Sequence, residues 1–126
     1  MDIAALVILE SPFAGDIVGI EGDEYKFLDK DYPQPILHFY SDALWGKFDQ
    51  IATYKVNQYY LDKQDAKYRN VHLSGSGHLG LTDMSLSTPV LTNTLDGGMN
   101  TREVYDKLKV LNEETLDFLR NFKLIE

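Results

Sequence analysis

The chain has 126 residues, a net charge of −8 and no cysteine, and its 44% hydrophobic and 25% charged content is ordinary for a globular protein of one domain. The acidic balance argues against nucleic acid and anionic membranes as partners, because neutralising phosphates requires a basic surface. The lack of cysteine excludes disulfides, thiolate metal sites and a cysteine nucleophile, and it fits a cytoplasmic location if the chain start is genuine.

The first predicted element is a strand in "IAALVILE" (3–10), which ends on Glu10. Its continuous run of apolar, branched side chains is typical of a strand that is covered on both faces in a parallel sheet. Glycine and proline then punctuate a polar stretch, 11–34, which we expect to have little regular structure.

The second predicted strand is "PILHFY" (35–40), and Ser41 and Asp42 follow its carboxyl end. The next segment, 43–63, has a helical pattern in parts, although "YKVNQYYL" (54–61) within it could also be extended. The third predicted strand, "YRNVHL" (68–73), runs directly into the glycine and serine loop "SGSGHLGLTD" (74–83).

Two helices are predicted after that loop. "MSLSTPVLTNTL" (84–95) is typical of a loop that enters a short helix, with Ser87 or Thr88 as its cap and Pro89 in its first turn, before "DGG" ends it. The last helix is capped by Asn100, has Glu103 in the capping-box position and runs to about Lys123. Its apolar face is traced by Val104, Leu108, Leu111, Thr115, Phe118 or Leu119, and Phe122.

This order of elements predicts a single α/β domain, 1–126, with about three parallel strands, crossover helices and a long C-terminal helix. Polar groups follow each strand at its carboxyl end: Glu10, Asp42 and His78. Since the carboxyl ends of parallel strands share one crevice, we expect these side chains to converge. An imidazole that is oriented by a buried carboxylate is the proton-relay half of a Ser-His-acid site.

Other roles for these residues remain open at this point. Glu10 could be the first solvated residue of a loop, His78 a hydrogen-bonded structural histidine, and Asp42 or Asp83 a helix cap. His38 and His72 fall within predicted strands, where packing with one satisfied ring nitrogen is the usual explanation.

A bound metal is not expected. A zinc site built from the three histidines lacks any short ligand spacing, and the acidic stretch "GIEGDEYKFLDKD" does not match the EF-hand ligand pattern. We therefore predict neither a metal nor a cofactor.

Four stretches of the chain are "AALVILES", "YPQPILHFYSDALW", "SGSGHLGLTDMSLSTPVLTNTLDGG" and "LNEETLDFLRNF". Together they resemble the C-terminal half of an α/β-hydrolase, similar to bacterial proteins related to platelet-activating factor acetylhydrolase. The resemblance implies that His78 is the triad base and that Glu10 is its orienting acid, at a position where the better-known relatives carry aspartate. Many α/β-hydrolases take the acid after the next strand, which would nominate Asp42.

The chain departs from that family in lacking a nucleophile motif. A hydrolase of this type needs a serine in G-x-S-x-G upstream of the acid, and neither Ser74 nor Ser76 has glycines at the positions two before and two after it. We therefore expect a partial domain that is inactive alone, with the nucleophile and the first half of the sheet before Met1. A misassigned start, a truncated or decayed gene product, or one chain of a split protein would each account for it.

Two functions are thus predicted. In the first, the intact protein is a serine esterase or lipase-like acyl hydrolase that acts on a small ester or lipid-like substrate. In the second, the chain is a noncatalytic remnant or an oligomerising subunit, because the free edge of the 3–10 strand would pair with another strand and could produce a homodimer.

Overall fold

A computed structural model describes residues 3–28, 31–82, 84–96 and 101–126. The predicted caps Asp83 and Asn100, and the glycines of the predicted helix end at 97–98, lie outside these residues. The strands are β1 (Leu6–Leu9), β2 (Ile17–Glu21), β3 (Glu24–Phe27), β4 (Ile36–Tyr40) and β5 (Tyr68–His72), and the helices are α1 (Lys55–Asp62), α2 (Met84–Ser87), α3 (Pro89–Asp96) and α4 (Thr101–Asn121).

The architecture is mixed α/β, and the prediction of three parallel strands is confirmed. β1, β4 and β5 form one sheet in the order β1-β4-β5, with Val7 paired with Leu37 and His38 with Asn70. All five residues of β4 are buried, as expected of the central strand. This arrangement brings the carboxyl ends of three strands to one edge of the sheet.

The sheet has a separate apolar cluster on each face. On one face, Leu37 and Phe39 of β4 pack with Phe118 of α4. On the other face, Ile36 packs with the aromatic rings of Tyr60 and of Tyr68. Alternate residues of β4 therefore point to opposite layers, and helices flank the central strand on both sides.

The prediction of little regular structure in 11–34 is wrong in one part. β2 and β3 form an antiparallel hairpin whose turn contains Gly22 at a φ of +62°. The hairpin is largely exposed, and Val18 and Ile20 face solvent, so its sequence lacks the apolar signal of a buried strand. Among the described residues, the connection from β1 to β4 thus contains a hairpin where little regular structure was expected.

The helical prediction for 43–63 holds only for its last part. Turns occupy 42–46, where Gly46 has a φ of +75°, and two short 3-10 turns follow at Phe48–Gln50 and Ala52–Tyr54. Only then does α1 begin, so the extended alternative for 54–61 is wrong. The left-handed glycine interrupts the helical backbone that the apolar spacing indicated.

The prediction of a long C-terminal helix is confirmed, with α4 ending two residues before Lys123. Val104 and Phe118 are buried, in agreement with the predicted apolar face. Pro89 opens α3, where its fixed φ suits the first position of a helix. No helix within the described residues is long and apolar enough to cross a membrane.

The outer strand β1 is not covered on both faces, contrary to the prediction. Val7 and Leu9 share the face of Leu37 and Phe39, yet they are 42% and 39% exposed because α4 lies over the neighbouring strand. An open groove of about 650 Å³ lies between this part of β1 and the helices that follow the sheet. Its lining includes Leu9, Leu81, Leu86, Tyr105, Leu108 and Leu116.

Candidate functional site

The structure brings Glu10 and His78 together at the carboxyl edge of the sheet. Glu10 follows β1 directly, and His78 lies in the loop that follows β5. Nδ1 of His78 is 2.7 Å from Oε2 of Glu10, although the two residues are 68 positions apart in the chain. This contact joins two of the three polar residues that the sequence placed at the strand ends.

The carboxylate of Glu10 is buried and held from two sides. Its Oε1 accepts hydrogen bonds from the backbone N–H of Ser41 at 2.9 Å and from the Ser41 hydroxyl at 2.6 Å, while Oε2 faces His78. The Glu10 side chain is 0% exposed, whereas that of His78 is 60% exposed. A charge that is removed from water interacts more strongly with its neighbour, so Glu10 is well placed to stabilise a protonated imidazole.

The loop before His78 is fixed by the backbone and by α4. Gly75 has a φ of +76°, which glycine adopts without strain, and the Ser74 carbonyl accepts a hydrogen bond from Lys107 of α4. A 3-10 turn follows at Leu79–Leu81, where the N–H of Leu81 donates to the His78 carbonyl at 3.3 Å. The buried Leu81 therefore anchors the C-terminal side of the histidine.

Asp42, the alternative acid, contacts a different histidine. Its Oδ1 is 2.7 Å from Nε2 of His72, and its Oδ2 accepts a hydrogen bond from the Gly75 N–H at 2.8 Å. The N–H of Gly75 and then the His72 ring lower the pKa of the Asp42 carboxyl. The helix-cap interpretation of Asp42 is wrong, because turns and not a helix follow it. In this structure Asp42 joins β4 to the loop of His78 without contacting the His78 ring.

The expected packing with one satisfied ring nitrogen describes His72, whose Nε2 contacts Asp42, whereas both ring nitrogens of His38 have partners. His38 is buried, with Nε2 accepting from the Ser11 N–H at 3.3 Å and Nδ1 3.0 Å from the Tyr40 hydroxyl. Burial lowers its pKa to about 3, so the ring is neutral. The His72 ring stacks on Trp45, with centroids 4.8 Å apart. Within the described part of the chain, no three histidine, aspartate or glutamate side chains are grouped to hold a metal.

The serines near the site make other bonds. The Ser41 hydroxyl donates to Glu10, and the buried Ser76 hydroxyl donates to the carbonyl of Leu73. Ser74 lies in the exposed turn before Ser76. Among the described residues, no hydrogen bond reaches Nε2 of His78, which is the atom that would take a proton from a nucleophile in a Ser-His-acid site.

The sequence marked Ser41 only by its position and Tyr54 only as a packing or crevice-lining tyrosine, and it gave no role to Asn57. Tyr54 donates its hydroxyl to the Glu10 carbonyl at 3.1 Å, and Asn57 donates to the Ser11 carbonyl at 3.1 Å. Ser41 could have been found, because it follows β4 just as Glu10 follows β1. Tyr54 and Asn57 are more than 40 positions from their partners in a segment with a mixed pattern, so no local signal marked them.

No protein-family model matches this chain, and comparisons with curated proteins and with solved structures found no match.

Proposed function

We propose that this chain supplies the acid and the base of a serine acyl hydrolase, as the C-terminal half of an α/β-hydrolase fold, and that the nucleophile lies outside residues 1–126. The observation that carries the proposal is the 2.7 Å contact between the fully buried Glu10 carboxylate and the exposed His78 ring. The three parallel strands in sequential order also support it, because both residues then lie at the edge where such folds place their sites.

In the proposed mechanism, a serine hydroxyl attacks the carbonyl carbon of an ester, and Nε2 of His78 takes its proton. Glu10, held by both donors of Ser41, stabilises the imidazolium and keeps Nδ1 as the donor towards the carboxylate. His78 then returns the proton to the departing alkoxide. A water molecule, activated by the same ring, releases the acyl group from the serine in the second half of the reaction.

The proposed substrate is a small ester or a lipid-like molecule. The apolar groove begins with Leu9, the residue before Glu10, and with Leu81, three residues after His78. An apolar surface that begins this close to the acid and base favours an acyl chain over a highly charged substrate. No cofactor enters this mechanism, since the proton relay and the nucleophile are sufficient for ester hydrolysis.

A comparison of two chains tests the proposal. One chain is residues 1–126, and the other, the extended chain, adds the in-frame sequence encoded upstream of Met1, which should contain G-x-S-x-G. We expect hydrolysis of a short-chain p-nitrophenyl ester by the extended chain only, with loss of activity in His78→Ala and retention in the matched control His72→Ala. Activity of residues 1–126 that survives His78→Ala, or an extended chain without a nucleophile motif and without activity, would contradict the proposal.

A second candidate function is self-association through the free edge of β1. Among the described strands, β1 pairs only with β4, so its outer edge is available to a strand of another copy, and the exposed Val7 and Leu9 give β1 an apolar face. Sedimentation should then show a dimer that Val7→Lys converts to a monomer. The control Val18→Lys, on the exposed face of the β2–β3 hairpin, should leave the dimer intact. A wild-type chain that stays monomeric at all concentrations would exclude this candidate.

A further inference from the structure

We propose that His38, Tyr54 and Asn57 form a clamp on the backbone of Glu10 and Ser11 that sets the direction of the Glu10 carboxylate. In this role they are positioning residues for the acid and base, so their use rests on the proposed function. Their effect on the geometry of His78 can be measured independently of any catalytic activity.

The backbone of Glu10 requires such support. Glu10 has a φ of +45°, in the left-handed region where a side chain with a Cβ is disfavoured. A residue of this kind persists only where its surroundings hold it, and such residues concentrate at functional sites. The same backbone turn directs the carboxylate inward from the end of β1, towards Ser41 and His78.

Three side chains form hydrogen bonds with the backbone groups that follow the Cα of Glu10: the Glu10 carbonyl, the Ser11 N–H and the Ser11 carbonyl. The Tyr54 hydroxyl donates to the Glu10 carbonyl at 3.1 Å, and Nε2 of His38 accepts from the next N–H, that of Ser11, at 3.3 Å. Nδ2 of Asn57 donates to the Ser11 carbonyl at 3.1 Å. Both ends of the peptide group between Glu10 and Ser11 are thus bonded to side chains, so rotation of this peptide breaks at least two hydrogen bonds.

The clamp residues are also linked to one another. Neutral His38 accepts at Nε2, so its proton lies on Nδ1 and is donated to the oxygen of Tyr40, 3.0 Å away. Asn57 donates to the same oxygen at 2.9 Å. His38 binds the N–H of Ser11 and Asn57 binds its carbonyl, and the two side chains are linked to each other through the Tyr40 oxygen.

Asn57 is hard to explain by stability alone. The residue is fully buried, and among the described residues its Oδ1 has no hydrogen-bond partner. A buried polar atom without a partner is costly, and an apolar side chain of similar size avoids that cost. An apolar side chain at this position would, however, lose the two hydrogen bonds that Nδ2 of Asn57 donates to the Ser11 carbonyl and to the Tyr40 oxygen.

The test measures the tautomer of His78 in the 126-residue chain by long-range ¹H–¹⁵N NMR, at a pH where the ring is neutral. The clamp variants are Tyr54→Phe, which removes one hydroxyl, and Asn57→Leu. Glu10→Gln removes the carboxylate directly and gives the reference for a lost contact. The control is Tyr59→Phe, an exposed tyrosine whose hydroxyl binds Asp31. Spectra of His72→Gln and of His78→Gln assign the three histidines.

In the wild type, Glu10 should hold the proton of His78 on Nδ1. We expect both clamp variants to shift the Nδ1 and Nε2 resonances of His78 towards those of Glu10→Gln, and Tyr59→Phe to leave them unchanged. Clamp variants that lower the melting temperature but keep the wild-type His78 resonances would overturn the inference and leave the network a purely structural role. If Asn57→Leu does not fold, the result for Tyr54→Phe decides alone. If the ester assay fails but the clamp variants still shift the His78 resonances, only the proposed hydrolase function is refuted.

Discussion

Two histidine and carboxylate pairs lie at the same edge of the sheet, and both join a ring nitrogen to an oxygen at 2.7 Å. They differ in which partner is buried. In the pair of Glu10 and His78 the acid is 0% exposed and the ring 60% exposed, whereas in the pair of Asp42 and His72 the acid is 53% exposed and the ring 26%. Distance alone therefore does not separate a candidate catalytic pair from a structural one.

The difference in burial assigns a different task to each pair. Water screens the exposed Asp42, so its attraction to His72 is weak, and its second oxygen is used to hold the Gly75 N–H. Glu10 is shielded from water while the ring of its partner remains accessible. Under the proposed function, the pair of Glu10 and His78 performs the chemistry, and the pair of Asp42 and His72 holds the loop on which His78 lies.

The largest difference between the pairs is expected in catalysis. In the extended chain, Glu10→Gln should reduce kcat by about 10⁴, because an amide donates to Nδ1 and so favours the wrong tautomer of His78. The matched substitution Asp42→Asn should change kcat by less than about 10-fold, since Asp42 does not touch His78. Steady-state hydrolysis of a p-nitrophenyl ester measures both. Equal losses of kcat in the two variants would contradict the assignment of different roles to the two pairs.

Acid should affect the Glu10 side of the site through His38. Its folded pKa of about 3 lies below its ordinary value of 6.5, so between these values the unfolded chain binds more protons and stability falls as the pH falls. The loss should reach about 3 kcal/mol of the free energy of unfolding by about pH 4. Urea unfolding against pH should show a shallower acid decline in His38→Gln, which cannot titrate. Parallel declines in the two proteins would show that His38 does not stay neutral in the fold.

The smallest effect is expected from the exposed pair. The folded pKa of Asp42 is lowered, so its stabilisation is present above the ordinary aspartate pKa and is lost as the pH falls through the lowered value. Because Asp42 is more than half exposed, Asp42→Asn should cost no more than about 1 kcal/mol at neutral pH and less at high salt. Urea unfolding at two salt concentrations measures this. Asp49→Asn, at another exposed carboxylate, is the control, and a salt-independent cost would contradict the screened interaction.

The sequence was sufficient to predict the sheet and the convergence of polar residues, Glu10 and His78 among them, at the carboxyl ends of its strands. Apolar runs marked β1 and β4 to within a few residues, and the more polar stretch 68–73 was also predicted as the strand observed as β5. In a parallel sheet the carboxyl ends of these strands lie at one edge. The β2–β3 hairpin was missed because it is exposed and contains Gly19 and Gly22, so it lacks the pattern of a buried strand.

The division of the two acids between the two histidines could not be predicted. Glu10 and Asp42 both follow strands, and only the tertiary structure shows that His72, at the end of β5, takes Asp42 while His78 takes Glu10. The clamp on the backbone of Glu10 and Ser11 could not be predicted from the sequence either. Its members His38, Tyr54 and Asn57 lie 27 to 46 positions from their partners, and each bonds a backbone group that leaves no trace in the sequence.

The most direct test of the central claim is the rate at which a fluorophosphonate probe labels the nucleophilic serine of the extended chain. The matched variants are His78→Gln and His72→Gln. If His78 is the base, His78→Gln should slow labelling by about 10²- to 10⁴-fold, while His72→Gln should label at close to the wild-type rate. Labelling at the wild-type rate in His78→Gln would contradict the account.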